Sequence, residues 1–306
     1  MIKSSLFALI SVFLNSAVAG DWIYIRPEIG AGYSDNVYQD DLNKKSDFFL
    51  WLQVQSKYGN ETAAYLGRVN LSLYSVESPN NSLNYSLRRV SELNSGLGLT
   101  LGLGGFSYLK ADIGSTDEAF NNYYLLGFVT KRIFTRTNFE LNAEPGIKVS
   151  AYPQLSGRND IILFGRLDGF WRVKTDVDLN PYFELGFVFS NQAYYVKNYV
   201  DIGAIWSEKI SEQYKYNVDF SIRSSSYPNR TVSDILFIPN RKGRNTATSL
   251  NSSESLSLTQ LSTSVTMTHP ERDLSLGLNY TSENSLSNLE YFTELQLLAS
   301  ALFKFE

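Results

Sequence analysis

A chain of 306 residues, 43% of them hydrophobic, is long enough for one large β domain or two ordinary ones. Its 31 acidic against 27 basic side chains argue against the basic patch that a nucleic-acid binder needs, so no nucleic acid is expected among its partners. With no cysteine and one histidine, His269, the chain has neither disulfides nor thiolate metal sites, and no cofactor is expected.

Residues 1–19 read as a secretory signal. Lys3 supplies the positive start, LFALISVFL the short apolar core and Ala17-Val18-Ala19 the small-x-small cleavage site, which leaves 20–306 as one expected domain. The apolar core is too short for a membrane-spanning helix, and no later run approaches about 18 apolar residues.

From there on the sequence alternates with a period of two. Successive side chains on a strand point to opposite faces, so each such segment has one apolar and one polar face. Ile23, Ile25, Ile29, Ala31 and Tyr33 alternate with Arg26, Glu28 and glycines. Phe48, Leu50, Leu52 and Val54 oppose Asp47, Gln53 and Gln55, and Tyr65, Val69, Leu71 and Leu73 oppose Arg68, Asn70 and Ser72. A weaker segment with Leu83, Tyr85 and Leu87 precedes GLGLTLGLGG, in which Leu97, Leu99, Leu101 and Leu103 face one way and glycines and Thr100 the other. Tyr124, Leu126 and Phe128 are read as the apolar face of the sixth segment.

The second half repeats the pattern. Leu141, Ala143, Ile147 and Val149 alternate with Glu140, Asn142, Glu144 and Lys148, then Ile161, Leu163, Leu167 and Trp171 with Asp160, Arg166, Asp168 and Arg172. Phe183, Leu185, Phe187 and Phe189 oppose Tyr182 and Glu184; Val200, Ile202, Ala204 and Trp206 oppose Asp201 and Ser207. Tyr214, Tyr216, Val218, Phe220 and Ile222 alternate with Lys215, Asn217, Asp219 and Arg223. A Ser/Thr-rich segment carries Val265 and Met267, the next Leu274, Leu276, Leu278 and Tyr280, and the last Leu295, Leu297, Ala299, Ala301, Phe303 and Phe305.

This gives about fourteen strands, with 12 to 16 as bounds, and the connections alternate tight with long. KYGN, ELNS, IFTRT, VKTD, KISEQ and HPERD are tight; SDNVYQDDLNKKSD, YPQLSGRND and the segment from Tyr227 to Ser253 are long and polar. A sandwich would read as about seven strands and a solenoid as a fixed repeat; neither fits. The expected fold is all-β, an antiparallel transmembrane up-and-down β-barrel with its apolar face toward lipid. Tyr33, Tyr74, Phe106, Tyr108, Tyr194, Tyr195, Tyr214, Tyr280 and Tyr291, at strand ends, are the expected aromatic girdle.

The inward face then carries the chemistry. Its charged candidates are Arg26, Glu28, Arg68, Glu140, Glu144, Lys148, Arg166, Asp168, Arg172, Glu184, Asp201, Lys215, Asp219 and Arg223. The long segment after Tyr227, expected to lack structure of its own, adds Arg230, Arg241, Lys242 and Arg244 as candidates for a constriction. Catalysis finds no support: His269 lies in the turn HPERD with no partner constellation, and NRKGRN lacks the GxxxxGK[ST] frame of a phosphate loop.

Both ends carry a family likeness. DWIYIRPEIGAGYSDNVYQD and NYTSENSLSNLEYFTELQLLASALFKFE resemble the entry strand and the final hairpin of outer-membrane β-barrel porins of Gram-negative bacteria, and more distantly the barrel domain of surface lipoprotein assembly modifiers. Phe303 and Phe305 resemble the terminal aromatic signal read by the barrel-assembly machinery, which with outer-membrane lipid is an expected partner. The resemblance implies a passive channel for small hydrophilic solutes, saccharides among them. The alternatives are a non-catalytic accessory in export or assembly of surface polysaccharide or surface protein, and a structural or adhesive barrel.

Overall fold

The structure is a computed structural model; it describes residues 21–36, 45–60, 62–76, 81–94, 96–109, 121–153, 157–231, 235–239, 245–249, 253–285 and 292–304. Long antiparallel strands follow one another along the chain: β1 (Asp21–Ser34), β2 (Asp47–Gly59), β3 (Ala63–Tyr74), β4 (Ser82–Asn94), β5 (Leu97–Tyr108), β6 (Asn122–Arg136), β7 (Phe139–Tyr152), β8 (Arg158–Lys174), β9 (Val177–Ser190), β10 (Lys197–Lys209) and β11 (Tyr214–Thr231). After them come β14 (Ser253–Thr268), β15 (Arg272–Ser285) and β16 (Phe292–Phe303). Each pairs with its neighbour, β11 pairs with β14, and β1 pairs with β16, closing a barrel of fourteen strands. Two short strands, β12 (Ile235–Pro239) and β13 (Asn245–Ser249), form a separate hairpin between β11 and β14. The segment after Tyr227 therefore departs from expectation: β11 runs on to Thr231, and part of the remainder is paired.

All six tight connections lie at the end of the barrel where β1 starts and β16 stops. Two of these turns need glycine because the backbone adopts positive φ, at Gly59 (138°) and Gly96 (75°). Asn60 completes the first of them, its Oδ1 accepting from the backbone N–H of Thr62 at 3.0 Å and of Ala63 at 2.9 Å.

The pairing register fixes the face of every strand. Val69, Leu52, Leu71 and Ile29 share outward rows, as do Leu103, Leu125 and Val149, and Leu261, Tyr280 and Leu295. These outward side chains are open: Phe48 is 66% exposed, Leu276 69% and Leu101 42%. Buried apolar residues are few among those described, with Phe49, Ala64 and Val188 examples, so the usual arrangement of an apolar interior is inverted. A soluble monomer rarely exposes a continuous apolar surface on this scale, whereas a barrel in lipid requires one.

The register corrects two expectations. On β6 the apolar face named from sequence points inward: Tyr124 opposes Gly104, Leu126 opposes Gly102 and Phe128 opposes Gly146, while Tyr123, Leu125 and Val129 point outward. Both faces of β6 are apolar here, so alternation gives no parity, and a register shift between Arg132 and Phe134 changes it again toward the turn. Three girdle assignments also fall, because Tyr74, Phe106 and Tyr108 share the inward parity of Phe49, Asn84 and Ser82. Tyr33, Tyr214 and Tyr280 do point outward, and Tyr291 lies outside the described residues.

Candidate functional site on the inner wall

The inner wall has a charged side. In the register of β7 to β11, Glu144, Arg166, Glu184, Asp201 and Arg223 stand directly opposite one another, five charged residues in one cross-strand row. Arg166 forks onto Asp168, its Nε donating to Oδ2 at 2.7 Å and its terminal nitrogen to Oδ1 at 2.8 Å, and it lies 3.7 Å from Glu184. Arg223 Nε donates to Asp201 at 3.0 Å, and Thr130 donates to Glu144 at 3.0 Å. Two tyrosines finish the network: Tyr199 donates to Glu184 at 2.7 Å and Tyr182 to Asp201 at 3.4 Å. Arginine–carboxylate forks of this kind fix geometry as well as charge.

Glycines set the tyrosines in place. Tyr199 lies across Gly186 and Tyr182 across Gly203, so closely that a Cβ would fall 2.1 Å and 2.6 Å from the respective rings. With the rings flat on the wall, their hydroxyls reach along it to the carboxylates and their faces carry Arg223 and Arg166, with centroids 5.1 Å and 4.2 Å away. The same ring-on-glycine arrangement recurs inside the barrel at Trp51 on Gly30, Phe49 on Gly32, Tyr124 on Gly104 and Phe164 on Gly146.

The opposite wall is built differently. In a ring of fourteen, β3 and β10 are seven strands apart either way round, so β1 to β4 face β8 to β11 across the lumen. Near the middle of these strands stand Arg26, Arg68 and Arg88 against one carboxylate, Glu28. Gln53 separates the opposite charges, donating to Glu28 at 3.0 Å and accepting from Arg68 Nε at 2.8 Å. Arg26 lies over the Tyr24 ring at 4.4 Å, and Arg68 and Arg88 are exposed to the lumen. Between the two walls β14 and β15 present hydroxyls and amides at mid-strand, for example Ser262, Ser264 and Asn279.

Other charged candidates sit near the ends. Arg172 pairs with Asp178 at 3.1 Å, Glu140 lies 3.9 Å from Arg132, and Lys215 stands opposite Lys209, all close to the tight turns. Arg166 and Arg172, six positions apart on β8, thus belong to separate ion pairs. Lys148 folds onto the Tyr124 ring at 4.3 Å, and Asp219 faces inward between Ile205 and Ser262. Arg241, Lys242, Arg244 and the side chain of Arg230 lie outside the described residues.

Several contributors were not singled out from sequence. Arg88, Tyr182 and Tyr199 share the parity of polar neighbours, a signal that was present but did not mark them as partners of charge. Arg158 and Asp160 form a closed unit at the long-loop end: Arg158 Nε donates to both carboxylate oxygens at 3.1 Å, and its guanidinium is held between the rings of Tyr152 at 4.1 Å and Tyr195 at 3.5 Å. This ties the short turn Ala193–Tyr195 to the β7–β8 hairpin. No group of three or more His, Asp or Glu side chains is placed to hold a metal ion among the described residues.

Neither a family model nor a curated protein matches this sequence. Its fold is similar to solved structures. Outer-membrane expressed OmpT of Vibrio cholerae is 10% identical, with 95% of this chain and 99% of that one covered at a TM-score of 0.51. The outer membrane channel DcaP of Acinetobacter baumannii is also 10% identical, with 92% and 96% covered at 0.50. An apolar belt outside, charge inside and this likeness define a closed outer-membrane-type β-barrel. Within that class the chain has the fourteen-strand, up-and-down form.

Proposed function

We propose that the protein, exported by its N-terminal signal and inserted by the barrel-assembly machinery, is a porin-like channel of the outer membrane for small hydrophilic solutes. The observation that carries this reading is the inverted wall: exposed aliphatic and aromatic side chains outside, and inside, on β1 to β4, β7 to β11, β14 and β15, mid-strand positions that hold arginine, carboxylate, amide and hydroxyl groups. Fourteen strands exceed the eight whose interior is filled by side chains alone, which leaves room for water. The work of the wall is permeation, without a catalytic step.

The test has two arms. The processed protein should fractionate with the outer membrane and show heat-modifiable gel migration; recovery in the soluble periplasm rejects the location. Purified protein in a planar bilayer should pass stepwise ionic current. Correctly folded, inserted protein that never conducts would reject the channel.

A further inference from the structure

Of the lumen features, the recess between β2, β3 and β4 goes furthest beyond permeation in general. It measures about 320 Å³ and is lined by Arg68, Arg88, Gln55, Asn84, Ser86 and the rings of Tyr24 and Tyr124, among others, with no carboxylate in its lining. Arg68 stands opposite Ser86, and Arg88 opposite Leu66, so the two arginines are diagonal neighbours on adjacent strands and open on the same space. Gln53 takes two N–H groups of Arg68 on one oxygen, so these bonds of the guanidinium go to a neutral amide. Two guanidiniums, amides and hydroxyls around a space for a small molecule make a site for a carboxylate or similarly compact anion.

The far wall says what else the solute carries. Directly across from β3 and β4, strands β10 and β11 bring Asp201 and Asp219, and β7 to β9 add Glu144, Asp168 and Glu184. At mid-strand those five carboxylates outnumber Arg166, Arg223 and Lys148, the further cations Arg158, Arg172, Lys197, Lys209 and Lys215 standing toward the strand ends, whereas on β1 to β4 the arginines at mid-strand outnumber Glu28. At mid-height the lumen is thus polarised across its width, positive on one side and negative on the other. Such a field favours neither net sign strongly; it favours separated charges on one molecule, because the carboxylate and the ammonium group gain on opposite walls at once.

Resting on the channel reading above, we propose that the Arg68–Arg88 recess is a binding subsite for the carboxylate of small zwitterions of amino-acid type, whose ammonium end points to the β7–β11 wall. An uncharged sugar gains nothing from the opposed charge of the two walls.

Alanine and lactamide test it, because they are isomers that differ mainly in whether the charges are separated. In liposomes carrying the full-length protein, alanine should enter about threefold faster than lactamide or more. Arg88→Gln, and Arg68→Gln with Arg88→Gln, should bring the ratio to about one; Arg68→Lys with Arg88→Lys should keep part of it. Heat-modifiable migration of each variant confirms folding. Equal entry of the isomers through the wild type overturns the zwitterion proposal and leaves the channel standing. A preference unchanged in the double Gln variant overturns the assigned recess. Entry of neither isomer, with no ionic current, overturns the channel reading and this inference together.

Discussion

The two charged walls of the lumen carry the same residue types and use them in opposite ways. On β7 to β11 the charges are spent on one another: Arg166 is forked by Asp168, Arg223 is held by Asp201, and tyrosine hydroxyls take up further carboxylate oxygens. On β1 to β4 an amide, Gln53, stands between Glu28 and Arg68, and Arg68 and Arg88 remain exposed to the lumen. The first arrangement locks register, since each fork joins fixed positions. The second presents charge to whatever passes.

Both walls depend on the outward apolar stripe, so the largest effect comes from breaking it. Leu101→Arg should cost about 2–4 kcal/mol in a refolding titration, whereas Asn142→Arg, on the inner face, should cost well under 1 kcal/mol. Equal costs would mean that the faces are exchanged. Next comes the difference between spent and presented charge. Asp201→Ala strands Arg223 and removes an acceptor from Tyr182, and should lose about 2 kcal/mol; Glu28→Ala should lose less than about 1 kcal/mol. If the two changes cost the same, the walls do not differ in the way described.

The ring-on-glycine packing gives a third test. Gly186→Val forces the Tyr199 ring off the wall and should cost about 1–2 kcal/mol, while Gly165→Val, where an added Cβ meets nothing within 4 Å, should be close to neutral. The smallest effect belongs to the hydroxylated side. Thr266 and Ser275 share a 2.9 Å hydrogen bond, and replacing both with alanine should change stability by less than about 0.5 kcal/mol, since neither partner is left stranded. A loss above 1 kcal/mol would show that this side holds register too.

Much of this was legible in the alternation itself. Parity along β7 to β11 puts Glu144, Arg166, Glu184, Asp201 and Arg223 on the polar face before any coordinate is known, and the tight turns place the strand ends. The pairings were not legible. Arg166 and Asp168 are two apart on one strand, but Asp201 and Arg223 meet across a hairpin, and Tyr199 finds Gly186 only once the register is set. β6 failed for a physical reason: with Tyr123 and Tyr124, Leu125 and Leu126 side by side, a period of two has no contrast to report. Tyr74 failed for another. Its place at a strand end suggested a girdle, while its parity with Arg68, Asn70 and Ser72 pointed inward, and parity was the stronger signal.

The seam between β1 and β16 has a kinetic consequence. Its register runs only from Glu28 to Ser34, against thirteen paired positions between β1 and β2, and at its upper end Ser34 donates to Glu294 at 2.6 Å across 260 residues of chain. Every other strand contact in the ring joins neighbours along the chain or, between β11 and β14, spans a hairpin. Such contacts carry a small loop-closure penalty, while the seam carries the largest in the molecule. The sheet therefore grows by adding neighbours and joins its two ends last, and until that step both end strands are bare edges able to pair with another chain. Truncating the chain before β16 would leave that sheet permanently open and prone to stick to its own copies.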